Sequence, residues 1–299
     1  MPKICSLIVT YNRKELLLRC IEHCLEQNIN TDILIFDNFS TDGTCDYLME
    51  KGLLNNERII YHRATENLGG SGGFSNGLKI AYKKGYDYIW LMDDDGYPRD
   101  EFCLEECLKL IDNNKSNLVI INALVLGSDG NTMSFRTANY SKKDKLLDDY
   151  PDGKLPNAIS PFNGTLISRM VIEKIGYPRA DFFIKGDETE YTWRAKANGV
   201  KLITATRAEF IHPVLMLQKK KILFYEYYGA EESYWKEYYR ARNYVYIYKT
   251  YSSKFQLFKH VVRTLINCIT YKEDVKRKRY YLLKGLKDGF NNKFENISF

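Results

Sequence analysis

The 299-residue sequence predicts an α/β fold, a mainly parallel sheet flanked by helices, followed by a helical C-terminal appendage. Three observations carry this expectation. Short β-rich apolar runs alternate with helical patterns through the first two thirds, the order that builds a parallel sheet covered by helices. Several of these runs end abruptly in clusters of Asp, Asn, Ser, Thr and Gly, as strands do where they leave a core. The charge also changes sign along the chain: residues 216–299 hold 18 Lys/Arg against 8 Asp/Glu, a net of +10, which leaves −4 on residues 1–215. The tail further contains 13 of the 24 tyrosines, so the chain divides into a core, 1–215, and a basic, Tyr-rich region, 216–299.

With 44% apolar residues the chain can bury a substantial core. No run of about 18 uninterrupted apolar residues occurs, and Met1-Pro2-Lys3 leads straight into a strand pattern rather than a secretory signal, which predicts a cytoplasmic location. Seven scattered cysteines, an odd number, read as reduced thiols. The acidic core and the lack of a recognised nucleic-acid module argue against a nucleic-acid partner.

Ile4 to Thr10 is a β-rich run suited to a central strand, and the pattern of Leu17, Cys20, Ile21, Cys24 and Leu25 predicts a helix from about Lys14 to Glu26 with those residues inward. Cys20 and Cys24 with Cys103 and Cys107 have the wrong spacing for a zinc knuckle and read as core. A second strand, Asp32 to Phe36, runs into Asp37-Asn38-Phe39-Ser40-Thr41-Asp42-Gly43-Thr44, a loop placed where open α/β sheets bind ligands and also suited to capping a helix over Cys45–Lys51 with Ser40 or Thr41. Residues 58–63 make a third strand. Asn67-Leu68-Gly69-Gly70-Ser71-Gly72-Gly73-Phe74 then reads as a glycine-rich turn opening a helix from Ser75 to Lys84, able to bring backbone N–H groups to a phosphate. Its spacing matches neither the dinucleotide fingerprint nor the P-loop.

The fourth strand, Tyr88 to Met92, ends in Asp93-Asp94-Asp95-Gly96. If the backbone stays extended, Asp93 and Asp95 share a side and are spaced to hold a hard divalent cation, Mg²⁺ or Mn²⁺. A solvated acidic turn capping the helix near Glu101 reads equally well from these residues alone. The polar stretch 127–160 is expected to be a long loop, and Pro161–Ser168 a strand entering a helix over Arg169 to Ile175. Phe182-Phe183-Ile184 reads as an apolar strand running into Asp187, Glu188 and Glu190 at the start of another helix, where acidic residues also suit the dipole. Val200–Thr204 and Glu209–Pro213 follow, and His212 stands at a strand end. From Leu217 onward, the segments around Lys219-Lys220-Lys221, Tyr225–Tyr228, Tyr238–Asn243 and Lys276–Arg279 read as helices.

The series 6–13, 36–44, 67–74 and 91–95, in this order, resembles the inverting family 2 glycosyltransferases of GT-A fold, a Rossmann-like architecture. Its glycines and triple Asp look closest to the galactofuranosyltransferase branch, with rhamnosyltransferases near. The resemblance implies a UDP-sugar donor held by Thr10, Tyr11, Asp37, Asn67, Asp94 and the glycines Gly69, Gly70, Gly72 and Gly73. It implies Asp93, Asp95 and His212 as metal ligands and Glu188 as the base, standing where the family usually has Asp, with Asp187 its rival. Trp193, Arg194, Tyr239 and Arg242 would form the acceptor side. A glycan or lipid-linked glycan acceptor is expected, with the basic, aromatic tail serving the acceptor, an inner-membrane surface or a second copy of the chain. A rhamnosyltransferase using dTDP-rhamnose and a non-catalytic sugar-nucleotide-binding module are the alternatives.

Overall fold

A computed structural model describes residues 2–111, 117–137, 140–157, 162–214, 218–222, 225–229, 232–270 and 274–297. Its strands and helices in chain order are β1 Ile4–Thr10, α1 Lys14–Leu25, β2 Asp32–Asp37, α2 Thr44–Glu50, β3 Ile59–Arg63, α3 Gly69–Lys83, β4 Tyr88–Asp93, β5 Tyr97–Pro98, α4 Cys103–Leu108 and β6 Val119–Leu126. There follow β7 Thr132–Thr137, β8 Tyr140–Lys142, α5 Lys143–Asp149, β9 Lys154–Pro156, β10 Thr165–Ser168, α6 Arg169–Ile175, α7 Asp187–Ala197 and β11 Lys201–Ile211. β12 Gln218–Ile222, β13 Tyr225–Gly229, α8 Tyr234–Tyr251, α9 Lys254–Thr270 and α10 Val275–Phe290 complete the chain.

The main sheet runs β3-β2-β1-β4-β10-β6-β11-β5. β3, β2, β1 and β4 are parallel, and β10 lies antiparallel between β4 and β6. Because β6 reverses β10 in turn and β11 is parallel to β6, the carboxyl ends of β4 and β11 reach the same edge of the sheet. That edge also holds the ends of β1 and β2, where Thr10 pairs with Asp37. The order turns about β1, with β2 on one side and β4 on the other, which opens a crevice at the strand ends. Both faces of the sheet are packed. Leu17, Cys20, Ile21 and Cys24 of α1 bury against one face and Phe74, Leu78 and Ala81 of α3 against the other.

Cys20, Cys24, Cys103 and Cys107 share one apolar core as free thiols, in line with the core reading of the sequence. Several other expectations are corrected. The stretch 127–160 is not a long loop but carries β7, β8, α5 and β9, and the two segments expected at Val200–Thr204 and Glu209–Pro213 are joined in one strand, β11 Lys201–Ile211, with a bulge between Ala205 and Glu209. The helix after β2 starts at Thr44 without a side-chain cap from Ser40 or Thr41; Asp42 instead accepts from the Thr44 N–H at 3.1 Å. Residues around Lys219 and Tyr225 form a hairpin, β12 with β13, rather than helices. The boundary at 215/216 and the start at Leu217 lie outside the described residues, as does Pro161.

Two larger corrections concern the site. The glycines do not form a turn: α3 begins at Gly69 and runs through them. A Cβ on Gly73 would sit 2.5 Å from Val9 Cγ1 of β1, and one on Gly72 2.5 Å from Leu68 Cβ, so these glycines let the helix lie against its neighbours. Nor is there a strand over Phe182–Ile184. The segment is a 3-10 turn, Ala180–Phe182, followed by Phe183 and Lys185 at positive φ.

Candidate active site

Asp93 closes β4 and the next two residues turn. β5 then pairs with the end of β11, Ile211 opposite Tyr97, which brings His212 back beside Asp95. One ligand atom each from Asp93, Asp95 and His212 lie within 4.8 Å of one another, and no other such group exists among the described residues. His212 Nε2 is 3.3 Å from Asp95 Oδ1, while its Nδ1 donates to the Pro213 carbonyl at 2.9 Å. A carbonyl only accepts, so Nδ1 carries a proton and Nε2 faces the carboxylates; burial opposes a second proton there, but Asp95 and Asp93 outweigh it and raise the ring's pKa. Ser134 packs beside the same ring nitrogen at 3.1 Å and donates to Pro213.

Burial, then Asp95, Asp94 and Glu188 in that order, push the Asp93 carboxyl up to about 7, with His212 opposing. Burial also pushes Asp94 up to about 6 against Arg13 and Thr10. Burial acts in the same sense on Asp95, but His212 and Arg13 outweigh it and hold that carboxyl below its usual range. The cluster is thus short of positive charge. Asp95 Oδ1 is buried without a hydrogen bond, an orphaned oxygen of the kind a cation satisfies. Two carboxylate oxygens and an imidazole nitrogen whose other nitrogen is tied to a carbonyl fit Mn²⁺ or Mg²⁺.

Asp94 points away from this group, accepting from Thr10 Oγ1 at 2.8 Å and pairing with Arg13 at 3.2 Å. Tyr11 beside it is 42% exposed at the mouth of the crevice, an aromatic face open to a planar ligand. Asp37 is buried at the end of β2 and its oxygens are taken by the Ser40 N–H at 2.8 Å, by Tyr61 and by Arg63 at 3.7 Å. Reading a base N–H with Asp37 would require one of these to let go. Asn67 Oδ1 accepts from Asn38 at 3.1 Å and from the Gly69 N–H at 2.9 Å, which fixes the start of α3. Of the glycines, Gly70 alone combines partial exposure with open space around its Cα, while Gly69, Gly72 and Gly73 are buried in packing.

The second acidic cluster begins α7. Asp187 is 4% exposed and Glu188 partly exposed. Burial, then the adjacent Glu188, raise the Asp187 carboxyl well above its ordinary value. The charge of Glu188 adds to the rise at Asp93, less than burial, Asp95 or Asp94 do. The loop before α7 is bound from two sides. Phe183 O accepts from the Ser71 N–H of α3 at 3.1 Å, and Gly69, at φ +69°, leaves the room that this carbonyl occupies. From α8, Asn243 Nδ2 lies at hydrogen-bond distance from the carbonyls of Phe182, Ile184 and Lys185, at 3.0, 3.0 and 2.8 Å. Arg242 donates to Asp181 O at 2.9 Å, Phe182 O at 3.1 Å and Glu295 O at 3.2 Å, and Tyr239 stacks on Phe183 at 5.0 Å.

This corrects the expected acceptor side. Tyr239 and Arg242 are buried clamps on the loop rather than an open surface. Arg194 pairs with Glu190 at 2.9 Å and donates to the Tyr177 carbonyl, and Trp193 lies against Tyr248, 5.9 Å between rings. Sequence reasoning missed Asn163, which donates to Asp93 Oδ2 at 3.0 Å, as well as the roles of Arg13 and Ser134. Asn163-Gly164 before a strand was a turn signal that could have drawn attention to it; Ser134 sat in a stretch without one.

The family model described as glycosyl transferase family 2 matches residues 5–176, more than half of the chain and most of this architecture. The chain belongs to glycosyl transferase family 2. This glycosyltransferase is 28% identical over 238 residues to galactofuranosyltransferase GlfT1 of Mycolicibacterium smegmatis, covering 74% of each chain. It is 29% identical over 226 residues to GlfT1 of Mycobacterium tuberculosis, covering 73% of this chain and 72% of that one. Among solved structures it resembles the Pyrobaculum calidifontis mannosyltransferase PcManGT in complex with GDP-Man and Mn²⁺, with a TM-score of 0.58 at 12% identity over 98% of this chain and 88% of that one. It also resembles GalNAc-T7 with UDP, GalNAc and Mn²⁺, with a TM-score of 0.62 at 14% identity over 97% of this chain and 56% of that one. These likenesses place the fold among GT-A glycosyltransferases.

Proposed function

We propose that this glycosyltransferase moves galactofuranose from UDP-galactofuranose to a hydroxyl of a glycan or lipid-linked glycan, with inversion at the anomeric carbon, in cell-surface polysaccharide synthesis. The observation that carries the reading is the group of Asp93, Asp95 and His212 within 4.8 Å at the carboxyl edge of the sheet, with the charge of Glu188 also acting on Asp93. The galactofuranosyltransferase relatives support the donor.

Asp93, Asp95 and His212 hold the divalent cation, which when bound supplies neutralising charge to the diphosphate leaving group. Asn163 keeps the Asp93 carboxylate aimed, and the Pro213 carbonyl keeps His212 in the tautomer whose Nε2 can ligate. Tyr11 offers its face to the base. Glu188, more accessible than its neighbour Asp187, takes the proton of the acceptor hydroxyl as that oxygen attacks the anomeric carbon. Buried Asp187, held toward its protonated form, sits beside it as a neighbour rather than the base.

The test is a mass-spectrometric screen of the purified protein against a panel of nucleotide sugars with Mn²⁺, Mg²⁺ or EDTA. Consumption of UDP-galactofuranose that stops in EDTA is expected. Turnover of dTDP-rhamnose instead would replace the donor, and metal-independent UDP binding without turnover of any sugar would point to a binding module.

A further inference from the structure

We propose that α9 and α10 form a surface that docks on an anionic lipid bilayer. Both helices pack on α8 through an inner face, Leu257, Val261 and Cys268 of α9 with Leu282 and Leu286 of α10 closing over Ala241 and Val245. What they turn outward has a large apolar share. On α9, Phe255, Phe258, Leu265 and Ile269 are 61, 63, 43 and 72% exposed, and with Val262 their spacing of three and four residues makes one apolar stripe along the helix. α10 adds Tyr280, Leu283 and Phe290, at 61, 49 and 45%.

The charges beside the stripes have one sign. α9 contains Lys254, Lys259 and Arg263 and no acidic residue. α10 has a single one, Asp288, and it is buried, accepting from Tyr238 at 2.9 Å and pairing with Lys284 at 2.5 Å. Within the two helices the apolar stripes have only cations around them, the pattern of a helix lying in a membrane interface, where rings enter the acyl boundary and Lys/Arg meet lipid phosphates. Exposed Asp274 precedes α10, but two copies of the chain meeting through the same stripes would set mainly cations against cations, so a second copy fits less well. Among the described residues no helix is long and apolar enough to cross a membrane. The assignment does not depend on the donor sugar.

The experiment is co-sedimentation of the full chain with phosphatidylcholine vesicles, with and without phosphatidylglycerol. Binding to the anionic vesicles, weak binding to the neutral ones and release by salt are expected. The double variant Phe258→Glu with Ile269→Glu lowers the partition coefficient on the order of tenfold or more, with circular dichroism and melting temperature unchanged. Vesicle binding that is absent in the wild type, or untouched by the variant, overturns the proposal. So does a concentration-dependent dimer in analytical ultracentrifugation that the variant abolishes while no vesicle binding is seen.

Discussion

The two carboxylate clusters of the crevice are built in opposite ways. Asp93 and Asp95 stand at the end of β4, paired parallel with β1 and antiparallel with β10, and the third member of their group, His212, is delivered by strand pairing alone. Glu188 stands in the first turn of α7, after a loop with Phe183, Lys185 and Gly186 at positive φ, whose carbonyls point at side chains of α8 up to 61 positions away. The first cluster is held by the sheet that any chain of this pattern makes. The second depends on one helix docking correctly. The helical region therefore holds the loop that leads into α7.

The contrast can be broken most sharply at the carboxylates themselves. Asp95→Ala should lower transfer by about 10³-fold, the several kcal/mol that a divalent ion contributes, and abolish any metal-dependent gain in UDP affinity measured by calorimetry. Glu188→Gln should lower kcat by roughly 10²- to 10⁴-fold while leaving that metal-dependent UDP binding intact. If both variants lose nucleotide binding alike, the separation of the two clusters fails.

Gly69→Ala attacks the junction between them. The new methyl would overlap the Phe183 carbonyl, and φ there is +69°, so a loss of about 3 kcal/mol or more in urea unfolding is expected, whereas Gly70→Ala, with open space, should stay within about 1 kcal/mol. Asn243→Ala leaves the carbonyls of Phe182, Ile184 and Lys185 without their shared donor and should cost about 2 kcal/mol. Its kcat should fall with metal-dependent UDP binding preserved, as for Glu188→Gln and unlike Asp95→Ala.

The smallest effect is a pH dependence confined to the helices. Burial depresses His260 to about 4, against its bond to the Ala241 carbonyl, with Arg240 and Arg263 adding to the depression. An exposed histidine titrates near 6.5, so between about 6.5 and 4 the unfolded chain binds a proton that the folded chain refuses. Stability should fall as pH drops through that window, by on the order of 1–3 kcal/mol, and be independent of this group above it. His260→Gln should flatten the difference in a series of melting temperatures.

Much of the strand side was legible from residues 4–95. Buried strands declare themselves as apolar runs, and a carboxylate pair at the end of one is visible without knowing the fold. His212 was legible only through the family resemblance. The loop side was harder. Phe182-Phe183-Ile184 has the composition of a strand, but its carbonyls found donors on Asn243 and Arg242, and local propensity lost to a tertiary partner. Tyr239 and Arg242 looked like surface groups for the same reason. The glycines looked like a phosphate-binding turn because glycine is usually read as backbone freedom, whereas here Gly72 and Gly73 permit close packing.

Alternating apolar and turn-forming stretches determined, without help from the fold, that this chain makes an open α/β sheet with acidic strand ends, because burial of β-rich runs is a local property. Which of those ends lie at one edge of the sheet, and that α8 near the C-terminus holds the loop before Glu188, was decided by strand order and helix docking. Contacts between residues 58 to 61 positions apart leave no trace in the periodicity of either partner.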